Sequence, residues 1–575
     1  MSKAPMMLYS SGKRQIQQTQ FGGYNHAESC SEGQIYDERN ISAAAYPYLR
    51  PIRNRPESGI PATNGVFSHH ELGWVNKTEL WYDGHLVGYV EDCLKQFAIM
   101  GNRIVIWPDK VVLNASYKKL GVFETLDNLK SAVLDPKEND AYGVGTSVPH
   151  EIFVYNGTEW ASNGKELEKM EVSARLRIVR FENGTYKGVD ADANTIVTQL
   201  TDATKDPGFK VGDAITISGC TKHPENNKTA IIREIDKGII RFYENTFVLD
   251  GEDGLTNYQE PGTITLKRDV PELDVICAVN NRLWGAKDDT IYASALGNPM
   301  NFNVFDGLTT DSWFQTTGTS GTFTACAMYL GYPMFFKENH ICKIYGSNAE
   351  NFQTSLSATV GVKEGAHRSL AIAGEVLYYL STNGLTAYTG GLPESISAPF
   401  GTARYRDCVS GTDGRRLYLA MERESGTHEL FCLDTESGLL HKEDNSEVLS
   451  WTCHRGVLYG MAAATKIYNS DTGQGCPESV VEFGDFMEQT MNRKSTTRLQ
   501  MRIRLDEGAM LRVYVMYNSD GEWRPVKTFY ATKKMSFQYP VKLKRCDHYR
   551  IKLEALGYWE LQSMARELSV GSGVN

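Results

Sequence analysis

GEVLYYLSTNGLTAYTGG, residues 374–391, is an apolar run, a polar turn carrying a glycine, and a second run ending on an aromatic. The chain repeats this grammar. NNRLWGAKDDTIYASALGNP begins at Asn280, GYPMFFKENHICKIYGS at Gly331, DGRRLYLAMERESGTHELFCLD at Asp413, and RGVLYGMAAATKIYNSDTG at Arg455. GNRIVIWPDKVVLNAS, from Gly101, is a further copy. Aligned on the first apolar run, Leu283, Met334, Leu377, Leu417 and Leu458 fall roughly 40 to 50 residues apart, the period of propeller blades. Each unit offers two clear strands, with enough residues between units for two more. Cys342 and Ile344 alternate around Lys343, and Leu385 and Ala387 around Thr386, which is a strand period rather than a helical one. A small sheet cannot bury both faces alone, but sheets stacked radially can. The expected class is mainly β: a β-propeller of six or seven blades. An array of sandwiches or an open meander is the competing arrangement. ETLDNLKSAVL, from Glu124, is the best helix candidate.

The copies at Gly101 and Asn280 are separated by far more than one blade, so material is inserted between them. Residues 134–164 and 209–249 both read as short strands with tight turns, packed modules rather than a loop. At the other end, Leu499, Met501, Ile503 and Leu505 alternate with Gln500, Arg502 and Arg504, so one face is buried and the other is basic. Leu511, Val513 and Val515, then Val541 and Leu543, then Ile551 and Leu553 continue the pattern. The chain therefore divides into an extended N-terminal docking arm over 1–56, a first propeller portion over 57–120, inserted β-rich modules over 121–262, the main propeller over 263–485, and a C-terminal antiparallel β-sandwich over 486–575.

With 575 residues, 41% hydrophobic and 23% charged, the composition is that of a globular chain with more than one core. No apolar stretch approaches the roughly 18 residues of a membrane helix. The first residues lack the apolar core of a secretory signal, so the chain is expected to be made in a cytoplasm, with release by lysis left open. The 11 cysteines are scattered without a C-x-x-C pair, which points to buried thiols rather than disulfides or zinc. Net charge is −10, yet residues 486–575 hold 16 Lys and Arg against 9 Asp and Glu. An acidic body with a basic end is not a nucleic-acid clamp; it suits docking of one end on an acidic neighbour.

Chemistry-bearing patterns are sparse. Asp288 with Asp289, and Glu422 with Glu424, are acids on polar turns rather than a glycosidase pair. SHHE (68–71) and CDH (546–548) lack metal-ligand spacing. DGEDG (250–254) and DADAN (190–194) lack the glycine-then-glutamate frame of a calcium loop. NSDGEW (518–523) departs from the spacing of a sialidase Asp-box and occurs once, and no nucleophile elbow, Walker loop or dinucleotide fingerprint is present. No enzymatic activity is expected, and no catalytic residue, cofactor or metal is assigned.

The wording of several segments is more telling than their period. Residues 268–305, 331–347 and 360–397 resemble the β-propeller stabilization or nozzle proteins at the head–tail junction of short-tailed bacteriophages. The N-terminal pattern of such families is similar to Phe21, Gly22, Gly23, Tyr24 and Asn25, then Glu38 and Asn40, followed by YPYLRPIRNR (46–55). The resemblance implies a virion protein forming a homo-oligomeric ring of six copies. Portal and adaptor proteins would lie above it and tail components below, with genomic DNA passing through without sequence-specific binding. It would extend the DNA channel and help retain the packaged genome. The arm over 1–56 would dock on the upstream ring or a neighbouring subunit. The alternative is a receptor- or glycan-binding tail protein, with Trp160, Trp284, Trp313 and Trp523 as candidate stacking platforms.

Overall fold

The computed structural model describes residues 13–176, 179–186, 189–198, 208–236, 239–243, 246–251, 257–489, 493–530, 535–539 and 543–570. The chain is mainly β and falls into two compact units, Phe67–His367 and a second built from Met1–Val66 with Arg368–Asn575. Among the described residues the α-helix is Leu126–Ala132, at the place the sequence favoured, with Thr125 Oγ1 accepting from the Asn128 N–H at 3.2 Å.

In Phe67–His367, small sheets follow one another along the chain. Glu71–Asn76, Glu79–Tyr82 and His85–Tyr89 lie in the first, with Gly65–His69 at its edge. Gln96–Met100, Arg103–Trp107 and Val111–Asn114 form the second. The third holds Val275–Val279, Arg282–Lys287, Thr290–Ala293 and Trp313–Thr316; the fourth holds Ala325–Tyr329, Tyr332–Phe336, His340–Tyr345 and Gln353–Ala358. Successive residues of one strand feed different cores. Ile104 and Ile106 pack with Phe67, Val75 and Leu80, whereas Val105 and Trp107 pack with Leu273, Ile276 and Leu283. Trp284, next to Leu283, enters a third core with Phe323 and Phe335. Strands covered on both faces read as continuous apolar runs, which is why alternation in the repeats is short.

The fourth strand of the second sheet is Leu167–Lys169, reached only after an excursion. That excursion is a four-stranded sheet, Lys119–Phe123, Ala141–Val144, Glu151–Tyr155 and Trp160–Lys165. From Val172–Leu176 to Ile264–Arg268 the chain then builds an eight-stranded sheet around a core holding Phe181, Phe242, Phe247 and Tyr258. Arg268 fastens this module to the returning strand. Its Nε donates to Met170 O at 2.7 Å, its Nη2 to Lys169 O at 2.9 Å, and its Nη1 to buried Asp213.

The other unit contains three more small sheets. The first runs from Ala371–Ala373 through Val376–Ser381 and Gly384–Tyr388 to Glu394–Ser395. Tyr405–Thr412, Arg416–Arg423, His428–Asp434 and Leu439–Asp444 make the second. The last has only Ser450–His454, Val457–Met461 and Lys466–Ile467. Beside its outer strand lies the N-terminal segment: Ile467 N–H donates to Pro56 O (3.0 Å) and Ser58 N–H to Thr465 O (2.9 Å). Two larger sheets follow. Lys13–Gln18, Trp559–Val570, Lys494–Leu505 and Met535–Tyr539 make one; Ile35–Arg39, Ser479–Phe483, Tyr549–Leu556, Met510–Tyr517 and Arg524–Tyr530 make the other. They share a core with Leu499, Met501, Ile503, Leu511, Val513, Ile551 and Leu553. Arg498, Arg502 and Arg504 are exposed, as the alternation requires; Val541 lies outside the described residues.

One expectation is corrected here. Over 13–56 the N-terminal segment is not an extended arm but packed into its own unit, with strands in both larger sheets. Phe21, Ile35, Ile41 and Leu49 enter the common core. Their irregular spacing hid this, because the segment crosses several partners instead of presenting one face. Residues 1–12 lie outside the described residues.

Candidate functional site

The residues of the N-terminal pattern bridge the sheet that ends with Leu439–Asp444 and the larger sheet that holds Ser479–Phe483. Phe21 meets Phe483 with ring centroids 6.0 Å apart. Gly22 N–H donates to Gly33 O at 2.8 Å. At Gly23 a Cβ would stand 2.6 Å from Leu440 O, so only glycine lets Tyr24 N–H reach that same carbonyl at 2.7 Å. Tyr24 then packs edge-on against Phe431 at 5.3 Å. Asn25 pins the following turn, donating to Gln34 Oε1 (2.8 Å) and accepting from Ala27 N–H (3.1 Å). Asn40, in the left-handed region at φ 61, donates through Nδ2 to Glu478 O at 2.7 Å.

Charge is buried at the centre of this clasp. Glu38 and His441 are 2% and 3% exposed, and the carboxylate oxygens lie 3.1 and 3.2 Å from His441 Nδ1. Glu38 also accepts from Lys442 N–H at 2.8 Å. Burial works against a charged imidazole, but Glu38 outweighs it, aided by Glu443 and Asp434, and holds the His441 pKa above its ordinary value. Arg55 pairs with both Glu443 and Asp444, and its guanidinium lies 4.2 Å from the Tyr468 ring centroid. On the same sheet Glu429 accepts from Arg423 (2.7 Å), Lys442 (2.7 Å) and the Tyr405 hydroxyl (2.8 Å). Burial raises the Glu429 pKa, but those donors overcome it and leave the carboxyl below its usual range. These charged groups are paired with one another across the chain, and the pairs lock 21–55 onto 405–468.

The remaining candidates are dispersed. Asp289 is tied to Lys337 and Thr317, while Asp288 occupies a turn at φ 51, so they are not a working pair. Glu422 is paired with Arg406. Asp250 is held by Lys222 and His223, which keep its carboxyl below the usual range; 252–254 lie outside the described residues. Asp190–Asn194 falls within the strand Val189–Thr198, side chains 190–194 being outside the description. Burial pushes the Cys546 thiol up to about 11, and His548 meets Ser519 Oγ at 2.8 Å. Asp520, in the turn of 518–523, pairs with Arg524 at 2.7 Å.

Trp284 is 1% exposed with its Nε1–H on Val279 O, hence core rather than platform. Trp313 packs on Phe352 (5.7 Å), Trp160 on Tyr142 (5.7 Å) and Tyr155 (5.3 Å), and Lys552 lies over Trp523 at 5.0 Å. His70 and Glu71 do border a cleft of about 290 Å³, where Asp83 and His85 join them. Spacing could not reveal that company, since it is set by the turn between adjacent strands. At one edge Glu166 pairs with Lys119 (2.6 Å) and His150 (3.0 Å). Among the described residues no three His, Cys, Asp or Glu side chains are grouped to hold a metal ion.

No protein-family model matches the chain, and no curated protein matches it. Among solved structures, PorZ, a surface component of the type-IX secretion system of Porphyromonas gingivalis, is 11% identical, with 88% of this chain and 71% of that one covered at a TM-score of 0.25. An exo-beta-1,3-galactanase from Phanerochaete chrysosporium is 11% identical over 51% of this chain and 80% of its own, at 0.18. A GH43 protein from Bacillus licheniformis is 8% identical over 50% and 95%, at 0.18. At these TM-scores the likenesses bear on neither the arrangement of the sheets nor the activity of this chain. Among the described residues no helix is long and apolar enough to cross a membrane.

Proposed function

We propose that the chain is a structural protein of a tailed-phage virion, a β-propeller with a C-terminal β-sandwich that assembles as a ring at the head–tail junction or tail nozzle. The observation that carries this reading is the fate of the residues that carry the resemblance. Phe21 packs in the core, and Gly23, Asn25, Glu38 and Asn40 each hold backbone or buried charge in place. Within each unit, repeated small antiparallel sheets, four along Phe67–His367 apart from the inserted modules and three in the other, support a blade repeat. In this reading six copies surround a channel that continues the portal, with adaptors above, tail components below, and DNA passing through. Double-stranded DNA carries about one charge per 1.7 Å, so an acidic wall lets it slide where a basic one would grip.

The test is native mass spectrometry and negative-stain imaging of the purified protein, alone and with a portal–adaptor complex. A closed ring that forms or tightens on the connector is expected. A monomer or trimer indifferent to the connector overturns the reading and favours a receptor- or glycan-binding tail protein.

A further inference from the structure

The loop 294–312, between the third and fourth strands of the 275–316 sheet, is folded on itself. Ala295 N–H donates to Asn301 O (2.8 Å), Leu296 N–H to Thr310 O (2.9 Å), and Ser312 N–H to Val304 O (2.9 Å). Met300 and Phe302 anchor its underside in the core with Leu273 and Leu283. Asn301, 3% exposed, ties the loop to the eight-stranded module: Nδ2 donates to Gly212 O at 2.9 Å, and Oδ1 accepts from Ala214 N–H at 3.4 Å. Both walls of the space between them are therefore fixed. That space is an open cleft of about 850 Å³, within the size range of small-molecule sites.

Its lining is unusual for an idle surface. Tyr243 from the module and Phe305 from the loop are 56% and 54% exposed, two aromatic rings left largely in water. Phe305 is braced edge-on by Phe314 at 5.7 Å. Below them Asp311 is only 4% exposed. Its Oδ2 accepts from Leu308 N–H at 3.0 Å, but its Oδ1 is buried and has no hydrogen-bond partner among the described residues. Asp306 lines the same cleft. That oxygen is sealed from the cleft as it is from water, with the buried Arg282 guanidinium as its counter-charge; Asp306, exposed, is the carboxylate a ligand hydroxyl can reach. Lys228 lines the cleft together with Asp306 and Asp311, so there is no surplus of cations to hold a phosphate or an acidic sugar. Exposed rings beside hydroxyl acceptors suit a ligand with apolar C–H faces and O–H edges.

We propose that this cleft binds a neutral oligosaccharide, sugar faces against Phe305 and Tyr243 and hydroxyls donating to Asp306. The inference stands on the cleft itself and holds whether or not the chain assembles as a ring.

Linear hexasaccharides of glucose, galactose, mannose and N-acetylglucosamine, titrated calorimetrically into the full-length protein, test it. At least one should bind saturably. Phe305→Ala and Tyr243→Ala, on opposite walls and both exposed, should each weaken that binding about tenfold or more with unchanged melting. No saturable binding at millimolar sugar, or binding that survives both substitutions, overturns the proposal. Native mass spectrometry of the same variants reads ring assembly separately, so failure of one reading leaves the other distinguishable.

Discussion

Glu38 and His441, 403 residues apart in sequence, form a buried ion pair 3.1 Å long that joins the start of the chain to its second half. Removing one member leaves the other charged or unsatisfied in a site sealed from water. Glu38→Gln should cost about 3 kcal/mol, read as a lower denaturation midpoint with the slope preserved.

The same pair gives a pH signature. His441 holds its proton more tightly folded than unfolded, because Glu38 outweighs burial. Its contribution to stability is therefore full below the ordinary histidine value of about 6.5 and is lost as pH rises through the raised folded value. Glu443, its carboxyl pushed up by burial against the pull of Arg55, acts in the same direction, so the histidine must be isolated by difference. The stability of the wild type minus that of His441→Gln should shrink between acidic and alkaline pH. A difference that grows with pH contradicts the assignment.

Backbone contact makes two glycines irreplaceable. A Cβ at Gly23 would meet Leu440 O at 2.6 Å, and one at Gly473 would meet Asn54 O at 1.6 Å. Alanine at either position should destabilise by roughly 1–3 kcal/mol and release part of 21–58 to limited proteolysis, while cleavage within 67–367 stays unchanged.

Asp213 and Arg268 are each 2% exposed and paired where the eight-stranded module meets its base. Asp213→Asn should cost about 3 kcal/mol. Hydrogen exchange should report the loss locally, with faster exchange in 172–268 and little change in 323–358.

Thiol reactivity follows burial. The thiols of Cys342 and Cys408 are pushed up to about 12 by burial, and that of Cys220 to about 11. Cys453 is the exposed cysteine. A maleimide at neutral pH should label Cys453 first and reach Cys220, Cys342 and Cys408 only on unfolding, as peptide mass spectrometry would show.

The repeat was legible because a tight turn writes itself into sequence. Asn280 with Asn281, Leu330 with Gly331, Gly374 with Glu375, and Arg455 with Gly456 all have positive φ, the signature of a two-residue hairpin turn. These are the positions from which the quoted repeats start or lie one residue away. The alternation of Leu499 to Leu505 was equally plain, with one face wet and one dry. What stayed hidden is long-range. Leu167–Lys169 is three residues long, too short to announce a return to the sheet it left at Asn114. The role of Glu38 depends on His441, and the cleft beside Phe305 depends on a module that begins more than a hundred residues earlier. Local pattern carries turns and faces; it does not carry who meets whom across the chain.

Strands at both ends of the polypeptide share sheets, and this has a consequence during synthesis. Lys13–Gln18 pairs with Trp559–Val570, so the earlier strand waits on the ribosome for one made about 540 residues later. At 5–20 residues per second that wait is roughly half a minute to nearly two minutes. Once residue 367 has emerged, Phe67–His367 has all its own strands and can fold, while the leading segment remains unpaired. The polar wording of 13–20, KRQIQQTQ, then acquires a second meaning. It keeps an orphaned strand soluble, and poor at sticking to its counterparts on neighbouring nascent chains, until its own terminus arrives.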